Sequence, residues 1–157
     1  YLAQELGEEE KEQSVWEFFS ENPGFYNQSP RELADIARKL RISPELFYTE
    51  EKMGQLSGGE KVKLQLAGIL MQNPEIILLD EPSNDLDLET LEFLEQFILE
   101  TPAGILYVSH DETLIERTAN KILHLEQIQR KSKCRYTVAN MDYRTYMENR
   151  TRTFANQ

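Results

Sequence analysis

An α/β fold with a mainly parallel sheet and an N-terminal helical subdomain is predicted by three features of the 157-residue chain. Helical patterning occupies about the first 50 residues. Strand and helix signals alternate after Met53-Gly54, as in α/β units. An unbroken apolar run, Ile76 to Leu79, ends in the acids Asp80-Glu81, as expected of a strand buried on both faces with its carboxyl end at a ligand site.

The elements follow in order. Glu8 to Ser20 carries Val15, Trp16, Phe18 and Phe19 behind a charged opening turn and stops before Asn22-Pro23-Gly24, which predicts one amphipathic helix with a core-facing aromatic stripe. Ser29-Pro30-Arg31-Glu32 combines a cap, a first-turn proline and an acid at the third position. It launches a helix with Leu33, Ile36, Ala37 and Leu40 on one face. Ser43-Pro44 begins a short turn or helix. Beyond it the patterning predicts a helix at about 58–72, a strand at 75–80, a helix at about 87–99, a strand at 104–109, a helix at 111–119 and short strands near 121–125 and 135–139. Two crossovers make the joined strands parallel. Asp142 to Asn156 places Tyr143, Tyr146, Met147 and Arg150 at helical spacing.

Composition narrows the functional classes. The chain has enough apolar residues (39%) for one core. A net charge of -11 argues against a nucleic-acid clamp along its whole length. The charge is uneven, with 13 acidic against 6 basic residues over 1–60 and 2 against 7 over 127–157, so the C-terminal end is the better candidate for a polyanion-facing surface. Arg130, Lys131, Lys133 and Arg135 are equally compatible with a solvated turn. The single cysteine, Cys134, can form no internal disulfide and suits a reducing compartment. No apolar run approaches membrane-spanning length, and no secretory signal opens the chain; a cytoplasmic location is expected.

Two motifs carry chemistry. Leu56-Ser57-Gly58-Gly59-Glu60 stands where a helix begins. Ser57 can cap, Glu60 can reach back, and the glycines expose backbone N–H groups to an approaching phosphate. Asp80 is suited to Mg²⁺, and Glu81 to polarising a water that attacks a terminal phosphoryl group. His110 follows the strand Ile105 to Ser109 and can donate to a transferring phosphoryl oxygen. His124 is taken as structural. A Gly-x-x-x-x-Gly-Lys-Ser/Thr phosphate loop does not occur among these residues.

In this order the motifs resemble the ATP-binding cassette (ABC) family, over residues 1 to about 125. The resemblance implies a partial P-loop NTPase (ABC) domain, with Leu56 to Glu60 as signature motif, Ile76 to Glu81 as Walker B and Ser83-Asn84-Asp85-Leu86-Asp87 as D-loop. His110 takes the switch position and Gln4 the Q-loop position. It makes Glu81 and His110 catalytic, assigns Gln4, Ser57, Gly58, Gly59, Glu60, Asp80, Asp85 and Asp87 to the nucleotide, and gives Mg²⁺ to Asp80 and Gln4, with ATP as cofactor. The D-loop departs from the family pattern, with Asp85 where histidine is usual. Within the family the chain resembles the soluble ABC-F proteins, because its signature ends in Glu60, the next helix reads Lys61-Val62-Lys63-Leu64-Gln65-Leu66-Ala67, and Tyr136 to Tyr146 looks like a first cassette entering a linker.

The implied organisation is a Q-loop start and helical subdomain at 1–54, an ATPase-core portion at 55–141 and the start of an interdomain linker helix at 142–157. The implied partners are a second cassette, in the same chain or a dimer, and the ribosome (rRNA, tRNA), with a role in translation or antibiotic resistance and no membrane. A transporter ATPase subunit and a non-catalytic interaction module are the alternatives. With the phosphate loop upstream of what is present, the isolated chain is expected to be inactive. It is also expected to self-associate, or to repack its C-terminal strands, through sheet surfaces that lack a neighbour.

Overall fold

The computed structural model describes residues 1–3, 5–127 and 134–155, and the chain divides into two compact units, Tyr1–His110 and Asp111–Gln157. The predicted basic residues Arg130, Lys131 and Lys133, and Gln4 at the predicted Q-loop position, lie outside the described residues.

The first unit opens with helices α1 (Glu8–Glu12), α2 (Val15–Ser20), α3 (Pro23–Tyr26) and α4 (Pro30–Lys39). The single helix predicted over 8–20 is two helices. Gln13 and Ser14 leave the helical conformation to pair with a neighbouring segment: Met53 N–H donates to Gln13 O (2.9 Å), Val15 N–H donates to Glu51 O (2.9 Å), and Ser14 forms an antiparallel bridge with Lys52. Ser14 then restarts the chain as a cap, accepting from Glu17 N–H while its own N–H donates to the Glu17 carboxylate. The local Ser-x-x-Glu signal and a tertiary bridge together outweigh helix continuity.

Of the predicted stripe, Val15 and Phe19 are buried, whereas Trp16 and Phe18 are half-buried at its margin. Phe19 and Phe47 are fully buried and meet edge to face at 4.9 Å, while Phe25 and Trp16 extend the cluster. A 3-10 turn, Pro44–Tyr48, supplies Phe47 and Tyr48. Asn22 fastens this cluster to the next helix by donating its side-chain amide to Gly68 O, and Gly24 approaches Met71 so closely that a Cβ would lie 2.6 Å from its carbonyl oxygen.

Helix α5 (Gly58–Leu70) buries Leu64, Leu66 and Ala67, and is followed by β1 (Ile76–Asp80), α6 (Leu88–Glu100) and β2 (Gly104–Val108). β1 and β2 are parallel, with Asp80 opposite Val108. Asp80 N–H donates to Leu2 O and Glu81 N–H to Val108 O. Successive N–H groups of a strand point to opposite edges, so β1 lies between β2 and the Leu2 segment. The prediction that Ile76 to Leu79 is buried on both faces is not met. Ile77 and Leu79 are buried at 0% and 2% exposure, whereas Ile76 and Leu78 are 66% and 42% exposed. The apolar run suits two covered faces, and within the described residues only one is covered.

The second unit contains α7 (Glu112–Thr118), the antiparallel pair β3 (Ile122–Gln127) and β4 (Cys134–Ala139), and α8 (Tyr143–Ala155). Arg144 pairs with Glu116 at 2.8 Å, Tyr143 hydroxyl donates to Glu112, and the rings of His124 and Tyr146 lie 5.9 Å apart.

Candidate functional site

Asp80 ends β1, and the chain turns immediately. Glu81 (φ 44°) and Asp85 (φ 55°) both occupy the left-handed region, which L-residues adopt only at a cost. Two bonds brace the turn: Glu81 N–H to Val108 O on one side, and Asn84 N–H to Glu81 O at 3.1 Å across it. The strain therefore falls on the acid predicted to polarise water and on the D-loop residue that departs from the family pattern.

The Glu81 side chain is held by the end of the adjacent strand. His110 backbone N–H donates to one carboxylate oxygen at 3.2 Å, and its Nε2 lies 3.2 Å from the other. The Glu81 side chain is 12% exposed and that of His110 96%, so an enclosed carboxylate is covered by an imidazole open to solvent. Asp80 points elsewhere in the same loop region, accepting from the Tyr1 hydroxyl at 3.0 Å. That bond raises the Tyr1 pKa above its ordinary value, because a phenolate beside Asp80 would lose the hydrogen bond. The hydroxyls of Ser83 and Ser109 are 3.4 Å apart, a second tie between the two strand ends.

The signature segment forms a complete capping box. Ser57 Oγ accepts from Glu60 N–H at 3.2 Å, and the Glu60 carboxylate accepts from Ser57 N–H at 2.9 Å. Gly58 and Gly59, the first two helical residues, have no carbonyl within the helix to bond, which leaves their N–H groups at the positive end of α5. A third role for these glycines emerges in the fold. A Cβ on Gly58 would lie 3.2 Å from the Asp85 carbonyl oxygen, and one on Gly59 would lie 2.4 Å from Thr90 Oγ1. Asp87 caps α6 by accepting from Thr90 N–H at 2.8 Å. The hydrogen bonds from Thr90 also hold the Asp87 carboxyl below its usual range.

The predicted residues thus form two groups joined by one loop. Asp80, Glu81 and His110 gather at the carboxyl ends of β1 and β2, while Gly58, within Ser57 to Glu60, packs on Asp85 of the segment predicted to be a D-loop. Sequence reasoning missed Tyr1, Ser83, Ser109 and Thr90. Thr90 alone carried a signal, since Asp87 three residues ahead of it reads as a helix cap.

Mg²⁺ takes one or two carboxylates together with waters and phosphate oxygens. Asp80, at a strand end with one oxygen engaged by a neutral hydroxyl, matches that donor set. Among the described residues no group of three or more His, Cys, Asp or Glu side chains could enclose a metal by itself. No helix among them is long and apolar enough to cross a membrane.

Comparison with known proteins gives these motifs a context. The family profile described as ABC transporter matches residues 1–84. The chain is 38% identical over 110 residues to the energy-dependent translational throttle protein EttA of Haemophilus influenzae, covering 70% of this chain and 20% of that protein. It is 38% identical over 93 residues to the ATP-binding protein Uup of the same organism, covering 59% of this chain and 14% of that one. The chain therefore spans about a fifth of the length of EttA. Among solved structures, a nucleotide-free ATP-binding cassette from an ABC transporter superposes with a TM-score of 0.60 at 20% identity, over 75% of this chain and 53% of the other. A chain from the complex of an archaeal ribosomal stalk protein with an archaeal ribosome recycling factor superposes at 0.61 and 23% identity, over 98% of this chain and 28% of the other. At those identities the two structures establish the fold.

Proposed function

Because the chain belongs to the ATP-binding cassette (ABC) family, and within it resembles the ABC-F branch, we propose that it is the signature and Walker B portion of a cassette. In the intact protein that cassette would couple ATP hydrolysis to work on the translating ribosome. The observation that carries the catalytic part is the Glu81–His110 pair, two contacts at 3.2 Å across the ends of neighbouring parallel strands. Its place at the carboxyl edge of the sheet is where ligands of open α/β folds sit.

The roles follow from the chemistry of each group. Glu81 accepts a hydrogen bond from the attacking water and orients it, while the His110 backbone N–H fixes the carboxylate and the imidazole N–H donates to a transferring phosphoryl oxygen. Asp80, with Gln4, would hold Mg²⁺, which when bound neutralises charge on the phosphate oxygens. Ser57, Gly58, Gly59 and Glu60 present the α5 N-terminus to a nucleotide held by a second cassette, while Asp85 and Asp87 carry the D-loop. Closure on ATP and opening after hydrolysis would be a population shift favoured by contacts made only in the closed state.

No Gly-x-x-x-x-Gly-Lys-Ser/Thr loop occurs in the 157 residues, so by themselves they would neither bind ATP tightly nor hydrolyse it. The likeness to EttA, a translational throttle by its name, supports a cytoplasmic, ribosome-associated role with rRNA or tRNA as partner; an antibiotic-protection role is the narrower form of the same proposal. Glu81→Gln in the intact protein is the direct test. A long-lived ATP-bound state with hydrolysis abolished is expected; turnover unchanged by the substitution would remove Glu81 from the catalytic role, and a wild-type protein without turnover would favour a non-catalytic interaction module. Binding of that trapped variant to ribosomes, read by co-sedimentation, separates the translation role from a transporter subunit, which would stay in the supernatant.

A further inference from the structure

The glycine at position 59 faces two ways. Its N–H belongs to the exposed start of α5, and its Cα rests on α6 with no room for a side chain, because a Cβ would fall 2.4 Å from Thr90 Oγ1, 3.3 Å from Thr90 Cγ2 and 3.4 Å from Thr90 Cβ. Contacts under 3.0 Å require something to shift. Thr90 is poorly placed to give way, being buried at 6% exposure, in the first turn of α6 and bonded to the Asp87 cap. One residue earlier, Gly58 packs on the Asp85 carbonyl oxygen. The signature glycines are therefore seated on the segment 85–90, which continues without interruption from Asp80-Glu81.

We propose that Thr90 is a positioning residue, the strut on which Gly59 seats the signature motif, fixing the phosphate-facing start of α5 against the first turn of α6. The proposal rests on the nucleotide-site reading above and adds a link that no motif names. The turn at Glu81 and Asp85 runs directly into the Asp87 cap, and the cap carries Thr90 against Gly59. The proposal also assigns the need for glycine at 59 to the contact behind the residue rather than to the nucleotide in front.

The test is suppression. In the intact protein, Gly59→Ala is expected to lower kcat for ATP by about thirtyfold with little change in KM, and Thr90→Ala, which removes the atoms Gly59 rests on, by about threefold. The double variant Gly59→Ala/Thr90→Ala removes the two closest atoms and leaves the new Cβ facing another at 3.4 Å; it should regain about tenfold over Gly59→Ala, a non-additivity that two independent sites would not give. Thr90→Ser, which keeps the hydroxyl at the Gly59 contact, should not rescue Gly59→Ala. A double variant as inactive as Gly59→Ala, with wild-type melting temperatures throughout, would overturn the proposal and return the glycine requirement to the nucleotide. If the wild-type protein shows no ATP hydrolysis, the nucleotide-site reading fails separately, and melting temperatures alone decide the contact. Gly59→Ala must then melt lower than wild type and the double variant must recover; no loss, or no recovery, rejects the strut.

Discussion

His110 holds both oxygens of the Glu81 carboxylate, one through its backbone N–H and one through Nε2, each at 3.2 Å. The backbone bond survives any side-chain replacement, so the two contributions separate experimentally. His110→Ala should leave Glu81 oriented on one oxygen while removing the imidazole donor. A loss of about a hundredfold in kcat is expected for the intact protein, the scale of a missing acid–base or oxyanion donor. Glu81→Gln should lose more, because the amide accepts from water far more weakly than a carboxylate. Steady-state kinetics of the two variants against wild type check the order; His110→Ala as severe as Glu81→Gln would mean that the histidine does more than position and donate.

The turn conformation predicts an asymmetric response at Asp85. With φ at 55°, glycine fits this position without the cost that any L-residue carries, and a β-branched residue fits worst. Asp85→Gly should therefore be neutral or mildly stabilising, and Asp85→Val should cost about 1–3 kcal/mol. Urea unfolding of both variants measures the difference. Equal stability would mean that the turn relaxes to negative φ at little expense.

How much of this was legible beforehand depended on the range of the forces involved. The caps at Ser29 and Ser57 are local bonds between residues three apart, and the chain alone shows them. The break between α1 and α2 was hidden because it depends on Gln13 and Ser14 pairing with residues 51–53, almost 40 positions away. The motif residues could be named from residue type and order, yet neither shows that Gly59 meets Thr90 from behind. That contact depends on how α5 and α6 cross. The burial of Ile76 and Leu78 failed for a further reason: periodicity reports what a strand is suited to, and not which neighbours are present.

Several carboxylates share one titration behaviour. Asp87 is held below its usual range by its bonds to Thr90, Asp142 by the N–H and hydroxyl of Thr145, Glu32 by the hydroxyl and N–H of Ser29, and Glu12 by Lys52. A carboxyl whose folded pKa is depressed contributes stability that is fully present above its unfolded pKa, about 4, and is lost as pH falls through the folded value. The melting temperature should thus be flat between about pH 5 and 7 and decline below about pH 4. Replacing Asp87 with Asn removes one ionised cap and should make the acid decline shallower. Thermal denaturation followed by circular dichroism across that range provides the measurement; an identical decline in the variant would show that the Asp87 cap contributes nothing to it.

The uncovered side of the first sheet leads to a prediction about association. Ile76, Leu78, Leu106 and Val108 are all 42% exposed or more on β1 and β2, whereas Ile77 and Leu79 are buried. Burying an apolar side chain of this size gains about 1.5–3 kcal/mol, so four of them on neighbouring strands favour contact between two copies over contact with water. The isolated chain should therefore show a concentration-dependent increase in mass by light scattering. Leu78→Lys together with Val108→Lys places two charges on the contact face without entering the buried side, and should give a monomer at every concentration with an unchanged far-ultraviolet spectrum. Because these substitutions leave Ile77, Leu79 and the Glu81–His110 pair in place, a variant that still associates would locate the contact elsewhere, with the exposed Leu123, Leu125, Tyr136 and Val138 of the second unit the next surface to substitute.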